Sequence, residues 1–303
     1  MTTDVTIIEV GPRDGLQNEP GFIPTEKKLR LIGMLADAGL RRIEAASFVH
    51  PQRVPQMADA EAVMGGLPRV SGVSFAALIP NRRGLERAAA YRLDEINWVT
   101  SASPAFNRRN INQTIEENLE AFRELVPLVR QAGQRIRFSI AASFGCPFSG
   151  RVDPDVVLRL AEQAIAAGAD EIGVADTIGI AVPDEVYALS RRLIDAVGTE
   201  RIALHLHDTR GLALANTYAA YTAGIGSFET AVGGLGGCPF APGAAGNAAT
   251  EDVVYMFERM KVRTGVDFSK MLDAAEYAVS FSMRMPLGRI RLVESKEQPT
   301  IHR

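Results

Sequence analysis

The sequence predicts an α/β protein in which eight parallel strands close into one (β/α)8 barrel, the TIM-barrel fold. Eight short runs rich in β-branched or apolar residues alternate with longer amphipathic stretches, and the connections between them are short. No glycine-rich dinucleotide fingerprint follows the first run, which disfavours the alternative of a doubly wound open sheet. A chain of 303 residues that is 47% hydrophobic can fill the core of one such barrel.

Each predicted strand is a short extended run that is followed by a turn or a helical pattern. In chain order the eight runs are 5–10, 42–45, 73–78, 95–99, 135–142, 171–175, 202–205 and 227–231.

The first helix is predicted from Thr25 to Ala38, with Thr25 as its N-cap and Gly39 as its stop. Alanine–glycine steps also end later helices, since a glycine there can adopt the left-handed conformation that turns the chain back. These later helical stretches lie near 57–65, 82–92, 114–132, 154–167, 183–196, 210–223 and 250–262.

The chain is expected to divide into a barrel domain, 1–264, and a C-terminal extension, 265–303. The extension carries one more predicted helix, 268–284, and then a polar segment without periodicity that is interpreted as an arm or a mobile end.

Composition excludes several classes of function. The net charge of −3 gives no basic surplus for nucleic acid. No apolar run reaches the roughly 18 residues of a membrane helix, and the start lacks the pattern of a secretory signal. Two cysteines, Cys146 and Cys238, do not make a disulfide framework, so a reducing cytoplasm is expected.

Polar residues fall at the carboxyl ends of the predicted strands, where barrel enzymes build their active sites. Two of the four histidines, His205 and His207, end the seventh strand. Residues two apart in a strand face the same side, and two imidazoles on one face are typical of a metal site. The alternative is that one histidine only forms a hydrogen bond in a loop.

A hard divalent ion also needs oxygen ligands. Asp14, after the first strand, can supply charge, although an aspartate there often caps a turn. Asn247 can supply an amide oxygen, although Gly-Asn is a common turn. This donor set suits Mg²⁺ or Mn²⁺ better than Zn²⁺.

Two further residues are candidates for catalysis. Arg13 stays charged and could stabilise a developing enolate oxygen, or it could form a salt bridge with Glu44 or Asp176. Cys238 lies in a glycine-rich loop that could close as a lid and deliver a thiol. Cys146 is interpreted as a small buried cysteine.

Several ordered motifs resemble those of the 3-hydroxy-3-methylglutaryl-CoA (HMG-CoA) lyases, members of the metallolyase barrels named for an Asp-Arg-Glu start. The segment 9–19, EVGPRDGLQNE, is similar to the family's opening motif. Segments 43–49, 176–179, 205–209 and 234–252 also fit, and the similarity extends from about 5 to 270.

The resemblance implies a carbon–carbon lyase that cleaves HMG-CoA to acetyl-CoA and acetoacetate with a divalent metal, as a homodimer. By resemblance the metal ligands are Asp14, His205, His207 and Asn247. Arg13 would stabilise the enolate of the departing acetyl-CoA, with Cys238 as the lid thiol. Glu44 and Asp176 would be supporting acid/base or positioning groups, and the base that takes the proton would be His205 or Asp176.

Substrate contacts are also expected by resemblance, and two of them depart from the family pattern. The expected contacts are Arg13, Gln17, Ser47, Arg137, Ser139, Gly173 and Thr177. Where the familiar lyases carry a tyrosine on the fifth strand, this chain has Ser139, and where they carry a serine on the sixth it has Gly173. Both residues are expected to point into the barrel, so that a larger or differently shaped acyl group could fit.

Three alternatives remain open at this point. The substrate could instead be citramalyl-CoA or a longer 3-hydroxy-3-alkylglutaryl-CoA. The enzyme could be a condensing relative of isopropylmalate synthase, although such relatives carry further C-terminal domains and lack the cysteine motif. It could also be a non-catalytic barrel that binds metal or CoA.

Overall fold

The computed structural model describes residues 4–237, 246–283 and 288–293, and it confirms the closed barrel of eight parallel strands. The circle closes where β1 pairs with both β8 and β2, so the open-sheet alternative is wrong. The barrel strands are β1 (Thr6–Glu9), β2 (Arg42–Ser47), β3 (Ser74–Leu78), β4 (Glu95–Ser101), β5 (Arg135–Ala141), β6 (Glu171–Asp176), β7 (Ile202–Leu206) and β8 (Ser227–Thr230).

Helices surround the barrel, nine of those described lie at the predicted places, and most of these nine are shorter than predicted. They are α1 (Thr25–Asp37), α2 (Ala60–Gly65), α3 (Arg82–Ala88), α4 (Pro104–Ile111), α5 (Ile115–Gln131), α6 (Pro154–Ala167), α7 (Pro183–Val197), α8 (Ala213–Ala223), α9 (Thr250–Arg259), α10 (Phe268–Val279) and α11 (Ile290–Val293). None of the helices within the described ranges is long and apolar enough to cross a membrane.

The predicted boundaries of α1 are half right. Gly39 has a φ of 102°, which confirms the left-handed stop. The N-cap is Pro24, however, and not Thr25. Thr25 is the first helical residue, because its hydroxyl donates to Asp59 Oδ2 at 2.7 Å instead of accepting a backbone N–H of its own helix.

Helix α4 and a π-helical turn are among the elements that the sequence-based prediction lacks. Helix α4 has few apolar residues, so periodicity does not mark it; Ser103 caps its first turn and Asn112 ends it with a φ of 57°. A π-helical turn, Gly11–Gly15, follows β1, and the backbone N–H groups of Arg13, Asp14 and Gly15 all donate to the Val10 carbonyl.

Alternate residues of the strands face opposite sides of the barrel wall. Trp98 and Phe138 point outward, where both rings contact Phe122 of α5. The residues that alternate with these outward-facing positions along each strand point inward, and several of them are charged. Arg42 bonds to Glu95 and Glu171, and these ion pairs fill the barrel interior below its carboxyl end. Paired charges therefore lie directly below the carboxyl end of the barrel.

The C-terminal extension packs on the barrel. Helix α10 buries one face beside α1, and its N-cap residue Asp267 donates its backbone N–H to the Ala38 carbonyl at 2.7 Å. The short segment 288–293 docks on Asp252, whose carboxylate accepts the N–H groups of Arg289 and Ile290. The end of the predicted polar segment, 294–303, lies outside the described residues.

Candidate metal centre and active site

The π-helical turn after β1 places two functional side chains at the carboxyl end of the barrel. Because three successive N–H groups share the Val10 carbonyl, the chain turns tightly as soon as β1 ends. Arg13 and Asp14 therefore lie at the barrel mouth and not on the outer surface, and both line the main cavity.

Asp14, His205 and His207 form a compact cluster in which one ligand atom from each residue lies within 4.8 Å of the others. The two imidazole Nε2 atoms face each other at 3.0 Å. Their spacing of two at the end of β7 brings both rings to the interior, as predicted.

Asn247 adjoins this cluster, although it is 233 residues from Asp14 in the chain. Its Nδ2 donates to Asp14 Oδ2 and to the Leu235 carbonyl, each at 2.9 Å. Its Oδ1 is buried and has no hydrogen-bond partner among the described residues. A buried, unpartnered oxygen beside two imidazole nitrogens and a carboxylate is a donor set that fits a divalent cation.

Glu229 of β8 orients one of the imidazoles, and sequence reasoning missed it. Its Oε2 lies 2.8 Å from His205 Nδ1, which leaves Nε2 of that ring for the centre. Burial lowers the pKa of His205, but Glu229 outweighs it and the net shift is upward. Burial would raise the pKa of Glu229, but Arg137 and His205 lower it to about 2.

His207 lies in a different electrostatic environment. Burial and the neighbouring His205 lower its pKa to about 3, so the ring is neutral at physiological pH. A neutral imidazole can donate a lone pair to a metal.

Arg13 is held by two carboxylates. Its Nε donates to Glu44 and its Nη1 to Asp14 at 2.7 Å. The expected salt bridge therefore forms with Glu44 and not with Asp176. Burial opposes ionisation of Asp14, but Arg13 and the two histidines bring the net pKa of that carboxyl below its ordinary value.

Glu44 is fully buried and does not line the cavity. Besides Arg13, it accepts hydrogen bonds from Arg137 Nη2 at 2.6 Å and Asn97 Nδ2 at 3.0 Å. With this many partners Glu44 acts as a support that orients Arg13, which is one of the two roles expected for it.

A cavity of about 650 Å³ opens over the cluster. Of the predicted substrate contacts, Arg13, Gln17, Ser139, Gly173 and Thr177 line it, together with His205, His207 and Asp14. Gln17 Nε2 reaches Asp14 Oδ1 at 3.4 Å, and Thr177 Oγ1 accepts the N–H of Ala142 at 2.8 Å.

Ser47, Arg137 and Asp176, like Glu44 and Asn247, do not line this cavity. Ser47 and Arg137 are fully buried, and Arg137 is engaged by the carboxylates of Glu44 and Glu229, so the structure does not support direct substrate contact for either. Asp176 accepts the N–H groups of Ile180 and Ala181 on its two oxygens. It shapes the loop before α7, and this geometry does not support a role as base.

The predicted lid thiol, Cys238, lies outside the described residues. Gly237, the residue before it, lines the cavity. Cys146 is a free, buried cysteine, as predicted.

A closed (β/α)8 barrel with carboxylate, imidazole and amide ligands converging at its carboxyl end defines the class of metal-dependent barrel enzymes. A protein-family model described as HMGL-like matches residues 4–278. The chain therefore belongs to the HMGL-like family, and it is a carbon–carbon lyase.

Curated relatives and solved structures agree with this membership. The chain is 45% identical to hydroxymethylglutaryl-CoA lyase of Bacillus subtilis, over 93% of this chain and 94% of that one. It is 43% identical to (R)-citramalyl-CoA lyase of Chloroflexus aurantiacus, over 93% and 92% of the two chains. The structure of an Acinetobacter baumannii HMG-CoA lyase in complex with coenzyme A and 3-methylmalate is 37% identical, covers 99% of both chains and superposes with a TM-score of 0.93.

Proposed function

We propose that this chain cleaves 3-hydroxy-3-methylglutaryl-CoA into acetyl-CoA and acetoacetate with the help of a bound divalent cation. The observation that carries the proposal is the convergence of Asp14, His205 and His207 beside Arg13 under one cavity. The 45% identity to the Bacillus subtilis protein named hydroxymethylglutaryl-CoA lyase supports the choice of substrate.

The cation is Mg²⁺ or Mn²⁺, held by Asp14, His205, His207 and Asn247. Two oxygen donors in a set of four favour these ions over Zn²⁺. When bound, the cation would polarise the substrate oxygens and lower the pKa of the 3-hydroxyl group. His205 contributes Nε2, because Glu229 holds its Nδ1.

Arg13 stabilises the enolate that forms as acetyl-CoA departs. Within the described part of the chain, hydrogen bonds engage its Nε and Nη1 and none engages Nη2. A guanidinium fixed in place on two of its nitrogens can offer the third to a developing oxyanion without reorganising.

Two proton transfers complete the reaction. The 3-hydroxyl group must lose a proton, and His205 is the proposed acceptor. Because the same Nε2 would be a ligand of the cation, it could take the proton only while its lone pair is not coordinated. The enolate must gain a proton, and Cys238 is the proposed donor from its glycine-rich loop.

The test is acetyl-CoA formation from 3-hydroxy-3-methylglutaryl-CoA in Mg²⁺ by the intact protein and by Arg13→Gln. We expect the variant to lose on the order of a hundredfold to a thousandfold in kcat, with a smaller change in KM. Arg123→Gln, a surface change on α5, is the matched control and should keep full activity. Equal kcat in Arg13→Gln and the intact protein would contradict the assignment.

A second candidate substrate is citramalyl-CoA. It is favoured by the 43% identity to the Chloroflexus aurantiacus lyase of that name. Cleavage of citramalyl-CoA releases pyruvate in place of acetoacetate, so identification of the oxo acid separates the two substrates.

We further propose an acyl-CoA thioester as the ligand and a homodimer as the assembly. The acyl-CoA proposal is supported by relatives named for CoA substrates and by the coenzyme A complex of the Acinetobacter baumannii structure. The dimer rests on the family resemblance. Light scattering at micromolar concentration tests it, with a mass of twice 32.7 kDa expected.

A further inference from the structure

One side of the cavity is built from small and uncharged residues on three neighbouring strands. Asn97 of β4, Ser139 of β5 and Gly173 of β6 all line it, and Ser139 pairs with Gly173 in the strand register. We call these three residues the acyl wall. The wall continues toward the barrel mouth with Ala141 and Ala175.

Hydrogen bonds fix the polar part of the acyl wall. Ser139 Oγ donates to Asn97 Oδ1 at 2.7 Å, and Asn97 Nδ2 donates to Glu44 Oε2 at 3.0 Å. Because Glu44 also holds Arg13, the acyl wall is connected to that arginine through the Glu44 side chain. The hydrogen-bond network that orients Arg13 therefore also sets the rotamer of Ser139.

Gly173 is a glycine for reasons of space and not of backbone conformation. It lies within a regular strand and is not among the residues with positive φ. A glycine inside a strand weakens it and often marks a close approach by another group. A Cβ at this position would lie 2.6 Å from Ser139 Oγ and 3.3 Å from Ser139 Cβ, so the Ser139 rotamer requires the glycine.

The acyl wall adjoins the candidate metal centre. In the strand register Ala175 pairs with His205, and Gly173 pairs with Ala203 two residues deeper in the barrel. The space beside His205 is thus bounded on the β5–β6 side by hydrogen, methyl and hydroxyl groups only.

Charge around the wall favours an uncharged occupant. Arg137, the nearest buried cation on β5, is engaged by Glu44 and Glu229. Glu229, an acidic residue, itself lines the cavity. A second negative charge placed against the wall would meet this carboxylate without a partner of its own.

We propose that Asn97, Ser139 and Gly173 determine acyl specificity and admit 3-hydroxyacyl-CoA thioesters whose C3 carries an uncharged substituent larger than methyl. This inference rests on the proposed lyase activity, since it concerns the substrate of the same site. It predicts that 3-hydroxy-3-ethylglutaryl-CoA and the 3-propyl analogue are cleaved at least as efficiently as the 3-methyl compound.

The first experiment compares kcat/KM of the intact protein for the methyl, ethyl and propyl substrates in Mg²⁺. A ratio of ethyl to methyl of one or more supports the inference. A fall on the order of tenfold or more from methyl to ethyl would overturn it and leave the lyase proposal standing. Failure to cleave any of the three would overturn the lyase proposal, and the inference with it.

The second experiment reduces the space beside the acyl wall. Gly173→Ala should lower the ethyl-to-methyl ratio on the order of tenfold, because the new methyl group displaces the Ser139 hydroxyl into the cavity. Adding Ser139→Ala removes that hydroxyl and should recover part of the ratio. Gly33→Ala on α1, where an added Cβ meets nothing within 4 Å, is the matched control. An equal loss for all substrates in Gly173→Ala would indicate a purely structural role and contradict the inference.

Discussion

A chain of alternating charges links the candidate metal centre to Arg13. Glu229 bonds to His205 on one side and faces Arg137 Nη1 at 3.1 Å on the other. Arg137 in turn donates to Glu44, which holds Arg13. These groups are buried, so each charge depends on its neighbour, and removal of one leaves another unpaired in a low-dielectric interior.

Substitution of Glu229 by glutamine tests this link at the residue scale. The amide keeps the shape but loses the charge that orients His205 and balances Arg137. We expect Mn²⁺ affinity, measured by calorimetry, to fall on the order of tenfold to a hundredfold. Glu276→Gln on the exposed face of α10 is the control. An unchanged affinity in Glu229→Gln would show that the pair does not support the metal centre.

Some of these residues could be predicted from the sequence and others could not, for a physical reason. His205 and His207 are recognisable because histidine is scarce and their spacing fixes a shared face. Glu229 is not recognisable, because a glutamate in a short strand shows its direction only once the pairing of β8 is known. The role of Asp176 cannot be read from the sequence, because its position at a strand end is the same whether it serves chemistry or accepts loop N–H groups.

Among the elements, the strands could be predicted and the irregular turns could not. Short β-branched or apolar runs mark all eight strands, and alanine–glycine steps mark the ends of several helices. The π-helical turn Gly11–Gly15 depends on one carbonyl accepting three N–H groups, which no periodicity records. Hydrophobic periodicity does not predict helix α4, because this short helix is largely polar.

Helix α9 begins beside the loop that follows β8, and Glu251 joins the two. Its Oε2 accepts the Gly233 N–H at 3.0 Å, while Oε1 has no partner among the described residues. Burial raises the pKa of Glu251 from an ordinary value of 4.5 to about 8. The folded protein therefore holds this proton more tightly than the unfolded chain does.

This shift predicts a pH dependence of stability. The contribution of neutral Glu251 is fully present below pH 4.5 and is lost as the pH rises through about 8. Urea unfolding at pH 6 and pH 9 should show a loss of stability in the intact protein, at most about 1.4 kcal/mol per pH unit from this group. Glu251→Gln should lose less over the same range. Equal losses in both proteins would contradict the raised pKa.

At the scale of the whole molecule, closure of the barrel is what assembles the site. Asp14 and Asn247 come from opposite ends of the barrel sequence, and they meet because β1 pairs with β8, Thr6 opposite Ser227. An open sheet would have left them on separate edges. The paired charges inside the barrel then hold the ligands from below, so that fold and metal centre form one unit.

The central claim is that these ligands hold the divalent cation that the lyase reaction needs. The most direct measurement is acetyl-CoA formation from 3-hydroxy-3-methylglutaryl-CoA by protein stripped with a chelator and then titrated with Mg²⁺ or Mn²⁺. We predict no activity in the stripped protein, saturable recovery on titration, and a weakened or absent recovery in His207→Ala. Full activity in the stripped protein, or the same recovery curve in His207→Ala, would contradict the account.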